Sequence, residues 1–237
     1  MNKRREVEFK VNYWRYDETS DDRLYIYMGG LTKDLQSVFI RVEDFTPFVY
    51  LELPRRIRWN NSRCEQVFEY FKTRLRSWGP LKYTPQIKYL LHYKKKVQVM
   101  CLSFPTHKAS RSFAYVCSKG RINVPGLGTF SGEDFKVHEH NIDPILKFSS
   151  YKKLKMSGWV KAVEKEDELD LSLEERQFTT ANIDMAVHWR DVEPTEEPQG
   201  VIINPVYCSY DIECYSHNHN SKLPNPNDSK NVVFQIS

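Results

Sequence analysis

The stretch NNSRCEQVFEYFKTRLRSWG, residues 60–79, is where the hydrophobic period of the chain changes. Val67, Phe68, Phe71, Leu75 and Trp78 recur at helical spacing on one face. Asn61 or Ser62 can cap the start and Gly79-Pro80 ends the run, which predicts a helix. Upstream of it the chain alternates with period two. EVEFKVNYWRY (6–16) sets Val7, Phe9, Val11 and Tyr13 on one face, and RLYIYMGG (23–30), QSVFIRVE (36–43) and TPFVYLELP (46–54) follow at short spacing. These four segments predict a β-meander with turns supplied by Asp21, Asp22, Gly29 and Gly30, and Pro47 belongs at a strand start.

Downstream, KYTPQIKYLLHY (82–93) and VQVMCLSF (97–104) read as two strands joined through Lys94, Lys95 and Lys96. THKASRSFAYVCSKG (106–120) resumes the helical period, with Thr106 as cap and Gly120 as stop. Two strands, a helix, two more strands and a helix make an α+β module, a split βαβ sheet with helices on one face. Many nucleic-acid-binding sheets share that arrangement, although a fold alone is not a function. A short helix within residues 138–152 with Pro144 in its first turn, a strand MSGWVKA (156–162) and one more strand in NIDMAVHWRDVEP (182–194) complete the first part. VEKEDELDLSLEERQ (163–177) reads as an exposed acidic loop, and the Pro/Glu-rich joint EPTEEPQG (193–200) sets a domain boundary near Gly200. The expected organisation is therefore a mixed α/β domain with antiparallel sheets over 1–200, its stretch 161–200 an acidic connector, followed by a separate segment 201–237.

Charge divides the chain in the same way. Residues 1–160 carry 29 Lys and Arg against 16 Asp and Glu, or +13, whereas residues 161–200 carry 4 against 12, or −8. A basic lobe suits a polyanion through phosphate neutralisation and counterion release; excess Lys and Arg that merely solubilise is the plainer alternative. The five cysteines are scattered, with no C-x-x-C pair, so free thiols rather than a disulfide framework or zinc site are expected. No run approaches the ~18 apolar residues of a membrane span and MNKRREVEFK lacks the apolar core of a signal peptide, which points to nucleus or cytoplasm and no membrane partner.

VYCSYDIECYS (206–216) places Asp211 and Glu213 two positions apart in an apolar strand-like run, hence on one face, roughly 7 Å apart at ~3.3 Å rise per residue. Two carboxylates there repel unless a cation compensates, and hard divalent ions such as Mg²⁺ or Mn²⁺ take oxygen ligands. An exposed edge strand with solvated carboxylates is the alternative. His217 and His219 in SHNHNS, and His138 and His140 in VHEHN, read as turn residues before metal ligands. Lys94, Lys95 and Lys96, with Tyr89, His92 and Tyr93 beside them, could hold phosphate or stack on bases, or form a solvated hairpin tip. PGLGTFSG (125–132) lacks the Lys-Ser/Thr and the strand-to-helix setting of a phosphate loop.

YDIECYS (210–216) followed by LPNPNDSKNVVFQIS (223–237) resembles the first exonuclease motif of the family B DNA polymerases. An Asp-Ile-Glu strand there leads through a loop, here with Pro224, Pro226 and Asp228, to a second strand matched by Val232, Val233, Gln235 and Ile236. FTPFVYLELP (45–54), KYLLHYKKKVQVMCLSFPTHKASRSF (88–113) and VHEHNIDPILKFSSYKKLKMSGWVKA (137–162) are similar to the family's preceding segments, in order. The flavour is closest to the delta-like and large DNA virus branch.

The resemblance implies an RNase H-like 3′-5′ proofreading exonuclease in which Asp211 and Glu213 ligate Mg²⁺ or Mn²⁺ in a two-metal site. It also implies DNA, template and primer 3′ end, as partner, together with the remaining exonuclease and polymerase domains; whether a processivity factor binds stays open. The family's later exonuclease carboxylates and polymerase palm motifs lie beyond Ser237. The chain therefore reads as the N-terminal part of a larger polymerase and, alone, as catalytically inert. A stand-alone single-strand-binding module is the alternative. A compact nuclease would need Asp184, His188 and Asp228 as extra ligands.

Overall fold

The computed structural model describes residues 4–19, 22–90, 94–166, 178–201, 203, 212–215 and 232–236, the last two segments in their backbone alone. The first half of the chain forms β1 (Glu6–Glu18), β2 (Leu24–Leu31), β3 (Ser37–Glu43), β4 (Phe48–Glu52), α1 (Asn61–Leu75), β5 (Lys82–Leu90), β6 (Lys95–Ser103) and α2 (His107–Lys119). Then come β7 (Ile122–Val124), β8 (Gly128–Phe130), β9 (Val137–His138), α3 (Pro144–Lys152), β10 (Trp159–Val163), β11 (Ile183–His188), β12 (Val192–Pro194), β13 (Ile212–Tyr215) and β14 (Val232–Ile236). The described chain is mixed α/β with mainly antiparallel pairing, as the sequence predicts. It falls into two compact units, residues 1–201 and 202–237.

The meander is three strands long, not four. β1, β2 and β3 pair in succession, and β4 leaves for a second sheet. Val7, Phe9 and Val11 are buried as expected, but Tyr13 is 45% exposed. The β1–β2 register shifts between Val11 and Tyr13, and this irregularity moves the inward phase to Trp14 and Tyr16, which pack on the core. Gly29 and Gly30 make no turn. They lie inside β2 opposite Tyr13 and Val11, and a Cβ on Gly30 would stand 2.0 Å from the Lys10 carbonyl oxygen, so glycine permits the close strand approach there. The turn falls instead at residues 32–36, where the Gln36 N–H donates to Thr32 Oγ1.

The strand-like segments expected at 156–162 and 182–194 are present as β10, β11 and β12, so the stretch 161–200 is built into the first sheet and does not stand apart as an acidic connector. β10 pairs with β1, β12 with β10, and β11 runs parallel to β3, giving the order β11-β3-β2-β1-β10-β12. The Lys165 N–H donates to the Ala186 carbonyl and wraps the sheet toward closure around one core. Glu164, expected on an exposed loop, is fully buried because Arg5 grips its carboxylate through Nε and Nη2. Residues 167–177 of the acidic stretch lie outside the described residues. NIDMAVHWRDVEP holds two strands, β11 and β12, because a 3-10 turn at Trp189–Asp191 interrupts it.

Inserted between the halves of that wrap is the split βαβ unit. β6 lies between β4 and β5 and is antiparallel to both, so β4 and β5 run parallel with α1 as crossover. α2 returns the chain to β9, antiparallel on the outer side of β4, and the order is β5-β6-β4-β9. Val49, Leu51, Met100 and Leu102 from the sheet meet Val67, Phe68, Phe71, Phe113 and Cys117 from the helices in a second core. Burial pushes the Cys117 thiol well above its ordinary range, so it stays protonated and inert.

Asn60, one residue earlier than expected, caps α1 by accepting from the Arg63 N–H. α1 ends at Leu75 because Arg76 takes a positive φ of 52°. Trp78 therefore leaves the apolar face and is 40% exposed, with the Lys108 ammonium over its ring. α2 keeps its predicted bounds, with Thr106 accepting from the Ala109 N–H and Gly120 as C-cap, and α3 starts at Pro144 with Asp143 as cap.

The two cores are tied at the start of α2. The Glu18 carboxylate, at the end of β1, accepts from the backbone N–H groups of His107 and Lys108 and so adds a negative charge to the helix N-terminus. Glu18→Ala is expected to destabilise the fold by about 0.5–2 kcal/mol, the range for a lost helix cap. Urea denaturation checks this, and an unchanged midpoint would refute the tie.

Candidate exonuclease hairpin and nucleic-acid interface

β13 and β14 form an antiparallel hairpin with Ile212 opposite Ile236, Glu213 opposite Gln235, Cys214 opposite Val233 and Tyr215 opposite Val232. The register shifts after Glu213 and skips Phe234, as a β-bulge in β14 would. Asp211, the first of the paired carboxylates, lies outside the described residues, as do His217, His219, Pro224, Pro226 and Asp228. The strand containing Val232, Val233, Gln235 and Ile236 is present as β14.

Of the extra ligands of a compact nuclease, Asp184 and His188 lie among the described residues, and each already accepts hydrogen bonds from its own segment. One Asp184 carboxylate oxygen accepts from the Phe178 N–H and from the Thr179 N–H and hydroxyl. His188 Nδ1 accepts from the Arg190 N–H. His138 Nε2 lies 3.0 Å from Glu52 Oε2, and His140 Nδ1 lies 3.1 Å from the Val137 carbonyl. Among the described residues, no three His, Cys, Asp or Glu side chains are grouped to hold a metal ion.

The lysine hairpin is partly strand. Lys94 takes a positive φ of 47° at the turn, while Lys95 and Lys96 begin β6 opposite Leu90 and Tyr89. Pairing across the ladder puts Tyr89 directly beside Lys96, and Ile87 beside Gln98. Tyr89 and Ile87 are 54% and 68% exposed. Arg55 reaches the Lys96 carbonyl at 3.4 Å and brings another cation to the same place. His92 and Tyr93 lie outside the described residues. An exposed tyrosine beside lysines on an edge hairpin can stack on a base while the ammonium groups meet phosphate.

A sequence signal broader than the three lysines was available. From residue 70 through residue 132 the chain has no Asp or Glu but twelve Lys and Arg. That run covers the end of α1, the β5–β6 hairpin, α2 and the β7–β8 hairpin. The basic excess therefore belongs to the split βαβ unit, not to the front of the chain at large.

Comparison with known proteins shows what this architecture and its sequence are similar to. Over 88% of the chain the fold matches a solved family B DNA polymerase from the archaeon Pyrobaculum calidifontis, with a TM-score of 0.55, at 12% identity and over 23% of that protein. Residues 135–237 match the model for the exonuclease domain of DNA polymerase family B. The chain is 23% identical over 98% of its length to a DNA polymerase of Acanthamoeba polyphaga mimivirus. It is 28% identical over 92% of its length to DNA polymerase 037L of Invertebrate iridescent virus 6. The chain is thus similar to family B DNA polymerases in fold and, over residues 135–237, in sequence. It spans 14% and 18% of those two viral relatives' lengths.

Proposed function

We propose that the chain is the N-terminal part of a DNA-directed DNA polymerase that replicates DNA and proofreads with a 3′-5′ exonuclease. The observation that carries this reading is order. An α+β lobe, the α3–β10 segment and then the Asp-x-Glu motif, followed by β14, come in the order the family shows, with residues 135–237 matching its exonuclease domain. The division falls near Gly200, with the exonuclease hairpin of an RNase H-like domain beyond it. The host-cell replication site, nuclear or cytoplasmic, is the expected location. No helix among the described residues is long and apolar enough to cross a membrane.

The donor set Asp211 and Glu213 is all oxygen and suits Mg²⁺ or Mn²⁺. When bound, such ions activate the attacking water and stabilise the leaving 3′ oxygen. Two carboxylates are too few to hold both ions, so the 237 residues alone are expected not to degrade DNA. The test of the whole reading is the nucleotide sequence following the Ser237 codon. Further carboxylate motifs and a palm Asp-Thr-Asp-type sequence are expected, and an open frame without them would overturn it.

The basic unit supplies the DNA contact, with Lys94 and Lys96 on phosphate and Tyr89 against a base. Lys94→Ala with Lys96→Ala is expected to reduce the salt slope of single-strand binding by about 1.4, at ~0.7 for each phosphate no longer neutralised. Fluorescence anisotropy against NaCl reads the slope, and parallel lines for both proteins would remove the hairpin from the interface.

A further inference from the structure

A second basic surface runs along α2, away from the hairpin lysines and from the carboxylate pair in sequence. His107, Arg111 and Tyr115 recur every four residues, and Ser118 follows, so they share one stripe of the helix. Facing this stripe, the segment from Gly132 to Asn141 contributes Lys136, His140 and Asn141, and the two walls enclose a cavity of about 710 Å³ floored by Phe135, Val137 and Ala114. A second cavity of about 470 Å³ shares His107, Arg111 and Tyr115 and extends the space past Lys108 toward Tyr16. Together they form a trough along α2, whose span from residue 107 to 118 is roughly 17 Å at 1.5 Å per residue.

The charge of the trough is unbalanced. Among the described residues, no carboxylate lines the larger cavity, and Glu18 alone lines the smaller. Glu18 is already accepting from the His107 and Lys108 N–H groups, and nearby Asp143 accepts from the Ile145 N–H as cap of α3. Among the described residues, no carboxylate forms an ion pair with Arg111 or Lys136, both of which are exposed. Burial holds His107 below its ordinary pKa, so an arriving anion would draw a proton onto it. Tyr115, 66% exposed, stands one turn beyond Arg111. Permanent cations without a carboxylate partner among the described residues, beside an exposed aromatic ring in an elongated trough, match a strand that alternates phosphates with flat bases.

We propose that the α2 trough binds single-stranded nucleic acid, with Arg111 and Lys136 on successive phosphates, His107 and His140 as auxiliary donors, and Tyr115 stacked on a base. The inference rests on the reading that this chain works on a DNA strand, and it assigns that strand a second track besides the β5–β6 hairpin.

The experiment uses the 237-residue chain and a fluorescein-labelled oligo(dT), with anisotropy measured across NaCl concentrations. Arg111→Ala with Lys136→Ala is expected to lower the magnitude of the salt slope by about 1.4, at ~0.7 for each neutralised phosphate. Tyr115→Ala is expected to weaken binding about 5- to 150-fold, and Tyr115→Phe to restore it, since stacking needs the ring and not the hydroxyl. Thermal melting of each variant should match the parent, because all three side chains are exposed. Inorganic phosphate up to 10-fold above the oligonucleotide phosphate should not displace the strand; displacement at that level would mean a site for a free anion and overturn the assignment. An unchanged slope in the Arg111/Lys136 variant, with the Lys94/Lys96 variant still lowering it, would overturn the trough while leaving the polymerase reading intact. Absence of oligonucleotide binding by the parent chain would overturn the trough outright, whereas the polymerase reading falls only with the sequence after Ser237.

Discussion

Asp211→Ala or Glu213→Ala, introduced into the full-length polymerase proposed above, is expected to lower 3′-5′ hydrolysis of single-stranded DNA by at least about 10²–10³-fold, the cost of removing one preorganised electrostatic stabiliser from an active site. Primer extension should persist, because the polymerase palm draws on other carboxylates in the resembled family. The physical argument is charge. Each carboxylate removed takes one negative ligand from a hard divalent ion, so the ion that should activate water is bound more weakly and less rigidly. Glu213→Gln keeps the shape and one oxygen yet loses the charge, and should fall nearly as far. A mismatched 3′ terminus labelled at its 5′ end, followed with and without Mg²⁺, separates the two activities on one gel. Unchanged excision in either variant would take these residues out of the metal site.

Phe71→Ala should produce the largest loss of stability. Phe71 is fully buried in α1, 4.8 Å from the Phe113 ring of α2 in an edge-to-face pair, and 6.1 Å from Phe135 on the segment leading to β9. It joins both helices and that segment over the split βαβ sheet, so its removal leaves a cavity that neither helix can fill without sliding. The expected cost is about 3–5 kcal/mol, which corresponds to a fall in Tm of roughly 10 °C or more for a domain of this size. Phe71→Leu should recover much of the loss by restoring part of the volume. A Phe71→Ala protein melting within about 2 °C of the parent would mean that this ring is not central to the core.

Elements built from local signals were legible in advance. α2 could be read from Thr106 to Gly120 because its cap, its apolar spacing and its stop are all within one segment. α1 could be read in its middle, but its cap shifted to Asn60 and its end to Leu75, since Arg76 adopts a left-handed backbone that no side-chain pattern announces. β1 was legible up to Val11 and out of phase afterwards, because a register shift is set by the partner strand. Gly29 and Gly30 illustrate the same point: two adjacent glycines usually signal a turn, and here they permit β1 to approach β2. At the site, the Asp-x-Glu pair was visible as a motif. The Arg111, Tyr115 and Lys136 trough was not, because its second wall lies on a segment about 20 residues further along.

The sequence by itself determined the alternation and helical periods, the capped α2, the basic unit and the acidic stretch that follows it, and the Asp211-Ile212-Glu213 motif in its family order. Each of these is a matter of residue type at short spacing, where backbone geometry and local hydrogen bonding decide. Tertiary structure alone decided that β4 leaves the meander for the split βαβ sheet. It also decided that the strand-like segments that became β10, β11 and β12 pair into the first sheet and wrap its core, and that Glu164 is buried against Arg5. Those outcomes depend on which edge strand finds an unpaired partner and which charge meets its opposite across some 160 positions, and neither is encoded in the spacing of neighbours.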